Sequence, residues 1–307
     1  MTRRTAGFTC AALAVAVAAT AQSSWTPPRT PDGRPDLQGI WYFGSATPLE
    51  RPKEFADKPI LTPEEAAAWV KREADRISRI QAVHAPGWLD YGTKVVPDLR
   101  SSLIIDPPDG RVPALTPEAR DRQTQRAAAR RGVGNDGPES FNPQERCLVF
   151  GAGPPILPGP YNNNLQIVQT ADHVVVYTEM IHDARIVALN QGPQTASHLR
   201  SWLGSSGARW EADTLVIETT NFDEEVVFRG SDEKLRVIER LRLEGPDALR
   251  YEFTIDNPTA FTRPWTATYT MSRTTDQMYE YACHEGNYGL PNILQGARYE
   301  ERTAAPR

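Results

Sequence analysis

The sequence predicts a mainly β protein in which an antiparallel meander rolls into a barrel, with two helices packed outside it. From residue 165 onward, short alternating runs succeed one another: "LQIVQT", "HVVVYTEM", "ARIVAL", "RWEADTLVIETT", "LRVIERLRL", "ALRYEFTI", "PWTATYTM" and "QMYEYACH". Turn-formers separate them, as at Gly204-Ser205-Ser206-Gly207, Gly245-Pro246-Asp247 and Thr274-Thr275-Asp276. A long meander of short strands closes on itself to remove its edges. Ahead of these runs, two stretches carry helix-start signals instead.

The chain opens with a basic Met1-Thr2-Arg3-Arg4, a short Ala/Thr-rich apolar run and Ala19-Thr20-Ala21. That is the plan of a secretory signal, residues 1–21, cleaved near Ala21-Gln22. The run is too short for a membrane span, and no cysteine stands at the cleavage point to take a lipid. The expected location is therefore periplasmic or extracellular, without a membrane anchor. Losing Arg3 and Arg4 makes the formal net charge of −5 more negative by two, which argues against nucleic acid as a partner. Cys10 leaves with the signal. The remaining Cys147 and Cys283 form one disulfide or stay as two thiols, one of them reactive.

Residues 22–60 form an extended, proline-rich arm leading into a first strand at Ile40-Trp41-Tyr42-Phe43. Residues 61–135 form a helical and hairpin insertion. Thr62, Pro63 and Glu65 are N-cap, first position and capping-box partner of a helix over about 63–82. "SSLIIDPPDGRVPAL" predicts strand, turn, strand. Thr116, Pro117 and Gly132 bound a second helix over about 117–131. It carries Arg120, Arg122, Arg126, Arg130 and Arg131 with almost no apolar stripe, the pattern of a solvated face. Residues 136–307 supply the barrel core, with one folded unit from about 27 to 300.

Alternation assigns faces. Leu249, Tyr251, Phe253 and Ile255 share one, as do Trp265, Ala267, Tyr269 and Met271. Val237, Leu241 and Leu243 share theirs with Glu239, a carboxylate on an apolar face that needs a partner or a raised pKa.

Gly39-x-Trp41 at the first strand resembles the opening signature of lipocalin-type barrels. The resemblance implies a lipocalin-like barrel in which the tryptophan plugs the closed end and an arginine from a late strand, here Arg273, stacks over it. This chain departs from the pattern by inserting two helices and a hairpin before the main strands. The strings "RTPDGRPDLQGIW", "LTPEE", "DPPDGR", "YNNNLQIVQT", "EMIHDARIV", "RWEADTLVIETTNF", "TRPWTA" and "YEYACHEGNY" also resemble a broad group of secreted bacterial proteins. That likeness implies one folded unit and assigns no activity.

Two histidines stand beside carboxylates at apparent strand ends, His182-Asp183 and His284-Glu285. Neighbours on a strand face opposite ways, so a working pair must form across strands, as His182 with Glu285 or His284 with Glu179. Arg185 is placed to hold an anion or simply to pair with Asp183. Asn162, Asn163 and Asn164 either shape a turn or bind hydroxyls at a barrel mouth. A disulfide to Cys283 would bring Glu145 and Arg146 up to His284-Glu285. No zinc motif is present, so only a dispersed set of His182, His284 and Glu285 could hold a divalent ion. No cofactor is evident, nor is a G-x-S-x-G or a phosphate-binding motif.

The expected function is binding of a small organic ligand in the barrel mouth, with acid–base chemistry of the lyase, isomerase or hydrolase kind. His182 and His284 would exchange protons, Glu285 or Asp183 would orient them, and Arg185 or Arg146 would steady negative charge. Glu179, Glu239, Tyr251, Trp265 and Tyr281 would line the cavity with Phe253, Tyr269 and Tyr279. A non-catalytic carrier or sensor is the alternative. A purely structural protein would instead show no cavity at all, because side chains would fill a small barrel. The oligomeric state stays open.

Overall fold

The computed structural model describes residues 25–81, 89–150, 153–193, 198–226 and 228–304. The expected signal segment lies outside them.

Alternating sequence makes the barrel. Strands β1 (Gly39–Tyr42), β3 (Asn164–Gln169), β4 (His173–Thr178), β5 (Ala184–Leu189), β6 (Ser205–Glu211), β7 (Thr214–Thr220), β8 (Arg236–Gly245), β9 (Ala248–Asp256) and β10 (Trp265–Thr274) pair in that order. β1 pairs with β10 to close the ring, while β2 (Ile104–Asp106) adds to β10 from outside. The expected β-barrel with peripheral helices is what forms.

Four local expectations need correction. β5 and β6 run parallel, so the sheet is mixed and not a simple meander. Gly204-Ser205-Ser206-Gly207 is not a turn but largely the start of β6. A Cβ on Gly207 would come within 2.4 Å of the Gln191 carbonyl oxygen, so glycine there allows the chain leaving β5 to pass over β6. The hairpin after Ser101 supplies only one strand, β2; its second arm contributes a single bridge, Leu115 to Phe261. "QMYEYACH" forms no strand: the chain leaves the barrel after β10 and turns into helix α3 (Cys283–Gly286).

Helix α1 (Pro63–Gln81) starts on the expected capping box: Glu65 N–H donates to Thr62 Oγ1 at 3.2 Å and Thr62 N–H to Glu65 Oε2 at 3.0 Å. Thr116 caps α2 (Pro117–Gly132) by accepting from Ala119 N–H at 3.1 Å. A further helix, α4 (Gly289–Thr303), ends the chain.

One end of the barrel holds a tryptophan–arginine stack. The Arg273 guanidinium lies 4.2 Å over the Trp41 ring, and its Nη1 donates to the Gln38 carbonyl at 2.8 Å. Gly39, at φ +129°, is needed because a Cβ would meet Arg273 Nη1 at 2.3 Å. Inside, the predicted faces are buried and the barrel is packed with side chains: Leu249, Tyr251, Phe253, Ile255, Trp265, Ala267 and Met271 are all fully buried.

The lone interior carboxylate finds its partner on the opposite wall. Arg185 grips Glu239 with both terminal nitrogens, Nη1 to Oε2 at 2.7 Å and Nη2 to Oε1 at 2.9 Å. Tyr251 O–H donates to the same Oε1 at 2.8 Å. This corrects the expectation that Arg185 holds a ligand at the mouth, and that Glu239, Tyr251 and Trp265 line a cavity. All four are core, and the Trp265 ring packs against Phe228, Phe253 and Phe261.

Removing one member of a buried ion pair strands the other. Glu239→Leu alone should lower unfolding stability by about 3–5 kcal/mol, whereas Arg185→Met with Glu239→Leu should recover most of it. Urea unfolding midpoints of the two variants check this.

Candidate functional site at the barrel mouth

The strand registers put residues 153–163, 179–183, 221–226, 228–235 and 257–264 at the end opposite Trp41 and Arg273. A short segment stoppers that end. Ile156 is buried, its N–H donates to Tyr251 Oη at 2.9 Å, and its carbonyl accepts from Tyr269 O–H at 3.0 Å. Both backbone polar groups of the stopper are thus satisfied inside the barrel, as burial demands.

Beside the stopper lies a cavity of about 750 Å³. The Cys147–Cys283 disulfide forms part of its wall, with Cα atoms 5.8 Å apart across 136 residues of sequence. The bond fastens the segment after β10 onto the connection between β1 and β3. Asn287 reinforces the joint by donating from Nδ2 to the Glu145 carbonyl at 2.9 Å.

Helical geometry decides which side chains of "CHEGN" face inward. Cys283, Gly286 and Asn287, spaced three and four apart, line the cavity. His284 and Glu285 fall on the other side of the turn and are exposed. A strand would have alternated them, and that was the expectation. His182 is exposed as well. It sits in a turn where Ile181 and His182 both take left-handed backbone, φ 59° and 48°, and its Nδ1–H donates to the Tyr281 carbonyl at 2.8 Å. Neither His182 with Glu285 nor His284 with Glu179 forms a pair. Among the described residues no three His, Cys, Asp or Glu side chains cluster as metal ligands would, so His182, His284 and Glu285 do not converge.

The residues that do converge are Asn162, Asn163, Glu179, Tyr281 and the two cysteines, all named from sequence. Asn163 is buried scaffold: its Oδ1 accepts from Gly159 N–H at 2.7 Å and its Nδ2 donates to the Asp90 and Gly159 carbonyls. Buried Glu179 is committed at both oxygens, accepting from Asn164 Nδ2 at 2.9 Å and Tyr279 N–H at 3.0 Å. Tyr161 and Tyr281 lie nearly parallel, 5° between planes, with hydroxyls 3.4 Å apart. Burial, aided by Tyr281, pushes the Tyr161 phenol far above its ordinary range, so it stays a neutral hydroxyl. The cavity also takes in Asp90, Gln144, Glu145 and Glu280. Gln144, Asn162 and Glu280 make no side-chain hydrogen bond within the described residues, which leaves them for a ligand.

Arg146 is not part of this site. It pairs with Glu225 at 2.8 Å and lies 6.0 Å from the Trp202 ring. Asp183 stays apart too, half-buried in the turn between β4 and β5. Its Oδ2 has no hydrogen-bond partner, and burial pushes the carboxyl up to about 6 against the lowering pull of His182 and Arg185.

Asn287, Asp90 and Glu280 were missed from sequence. Asn287 could have been found only by knowing that the chain turns helical at Cys283. The chain matches no family model, no curated protein and no solved structure. Among the described residues no helix is long and apolar enough to cross a membrane.

Two outcomes are expected. Cutting the disulfide with Cys147→Ala plus Cys283→Ala removes a long loop constraint, a loss of up to about 4–5 kcal/mol in the chain-entropy model. Hydrogen exchange should then show residues 277–303 opening while the β8–β10 amides stay protected. For Asp183, the raised folded pKa makes ionisation a cost to the folded state at neutral pH, relieved as pH falls through about 6 toward 4. Asp183→Asn should therefore be more stable than the parent at pH 7.5, by ~1 kcal/mol after allowing for solvent screening. That gain should vanish at pH 4 in paired denaturation curves.

Proposed function

We propose that this is an extracytoplasmic barrel protein that binds a small polar organic molecule, uncharged or cationic, in the disulfide-walled cavity at its mouth. One observation carries the reading. The cavity is lined by four carboxylates, Asp90, Glu145, Glu179 and Glu280, together with five carboxamides and two tyrosines, and by no lysine, arginine or histidine among the described residues. Such a surface accepts hydrogen bonds from hydroxyl or ammonium groups and repels carboxylates. A few oriented polar groups around a concave space of this size are what a small-molecule site requires.

The same chemistry favours retention over turnover. A general base must reach the proton it removes, and the imidazoles of His182 and His284 lie outside the cavity. The carboxylate nearest the barrel, Glu179, is held by two donors. A polyol or a small amine is the ligand class these groups fit. The disulfide suits an oxidising compartment, which agrees with export directed by residues 1–21.

Ligand-detected NMR on the full mature chain tests the reading, with monosaccharides, linear polyols, primary amines and short carboxylates as probes. Binding should be confined to the polyol and amine sets. Asn162→Ala and Glu280→Gln should each weaken it about tenfold, a loss on the order of 1.4 kcal/mol, with the unfolding midpoint unchanged. Hits restricted to carboxylates, or hits indifferent to both substitutions, would overturn it.

A further inference from the structure

A second cavity, of about 980 Å³, lies on the other side of the stopper, roofed by α2. Its place explains an oddity of the sequence. A helix lying against a barrel normally turns a stripe of large apolar residues inward, and α2 has none. It faces the space with Ala119, Gln123 and Ala127, and with Arg122 and Arg126 one turn apart. Small residues keep the helix from filling the gap beneath it. The floor is apolar: Phe150, Pro155, Leu157, Val226 and Phe228.

The charges around this floor are paired with one exception. Arg122 bonds Asp232 at 2.8 Å, Arg229 bonds Glu50 at 3.1 Å, and Glu225 bonds Arg146 at 2.8 Å. Half-buried Arg126 has no carboxylate partner among the described residues; it donates only to the Glu224 carbonyl, at 3.4 Å. A partly shielded guanidinium without a counter-ion, at the edge of an apolar hollow, is arranged for a ligand carboxylate or sulfonate.

We infer that this cavity is a second binding site, separate from the polar one, for an amphipathic organic anion: an apolar body seated on Phe150, Leu157 and Phe228 with its acidic group on Arg126. The two sites take opposite chemistries, since the first is acidic and apolar-poor whereas this one offers an apolar floor and a single uncommitted cation.

The test uses 2-naphthoate and its uncharged amide, titrated calorimetrically into the full mature chain at low salt. Naphthoate should bind at least tenfold more tightly than the amide. Arg126→Gln should remove that difference while leaving the amide affinity and the unfolding midpoint in place. Ala127→Trp, which fills the hollow from the helix, should abolish binding of both, and Glu280→Gln in the polar cavity should change neither. Equal binding of acid and amide to the parent, no binding of either at millimolar concentration, naphthoate affinity unmoved by Arg126→Gln, or binding that survives Ala127→Trp would each overturn the assignment.

Discussion

The buried carboxylate of Glu239 is the constraint on which the stoppered mouth of this barrel depends. An ionised group in a dry barrel is tolerated only when paired and fully hydrogen-bonded, and Glu239 meets that condition with Arg185 from β5 and Tyr251 from β9. The consequences travel outward. Tyr251, committed as donor to Glu239, has its oxygen left to accept from the Ile156 N–H, and Tyr269 takes the Ile156 carbonyl. The stopper is therefore fixed by hydrogen bonds that exist because the ion pair orients the phenol beneath it. Both cavities are bounded by chain running to or from that stopper, at Gly153–Leu157 on one side and Tyr161–Asn164 on the other. An apolar residue at position 239 would leave the barrel wall intact and remove what aims Tyr251.

A covalent bond performs the equivalent task for the segment after the barrel. β10 ends at Thr274, and the following residues up to Tyr281 have no sheet partner. They are held by the Tyr279 N–H on Glu179, the Tyr281 carbonyl on His182, the stacking of Tyr281 on Tyr161, and the disulfide just beyond them. Within this scheme His182 has a structural part. Its imidazole anchors the backbone that presents Tyr281 to the cavity, and its left-handed conformation follows from the tight turn carrying it. That backbone is uncommon for a non-glycine residue, and for the β-branched Ile181 before it more so. It persists because the flanking strands are fixed by the barrel.

Much of the barrel was legible because period-two patterning survives wherever one face is wet and the other dry. β8, β9 and β10 each read directly as alternating strands, down to the single carboxylate on the inner face of β8. The capping box of α1 and the Thr116 cap of α2 were equally local, whereas the Trp41–Arg273 stack, distant in sequence, was expected only from the resemblance of Gly39-x-Trp41 to lipocalin-type barrels. What escaped depended on contacts distant in sequence. The parallel join of β5 to β6 rests on Gly207 letting another segment pass within van der Waals range, which no spacing rule reports. "QMYEYACH" alternates as a strand would, yet no strand edge remains for it after β1 and β10 have closed the ring, so the chain turns helical at Cys283 and presents residues 283, 286 and 287 to the cavity in place of His284 and Glu285. The Asn162-to-Asn164 run, Glu179 and the cysteine pair were found because polar residues flanking strand ends gather at one mouth whatever the loop geometry. The histidines were misjudged because their orientation depends on that geometry. Likewise, Arg122 and Arg126 of α2 read as part of a solvated face until the hollow beneath them is seen.

A filled barrel with its recognition surfaces outside the core has an energetic logic. A ring of nine short strands closes around an interior about wide enough for side chains, and here Trp265, Tyr251, Tyr269 and Phe253 occupy it. A ligand inside would displace packing on which stability rests. Moving both hollows to the mouth lets loops and one helix set their chemistry while the wall stays constant. The shared partition, residues 142–150, contributes Gln144 to both cavities, the cysteine Cys147 to the polar one and Phe150 to the apolar one. Phe150 also packs edge-on against Tyr161 across the divide. The difference in ligand character between the two sides is therefore written on the opposite faces of a single nine-residue segment, held by one disulfide and one ion pair.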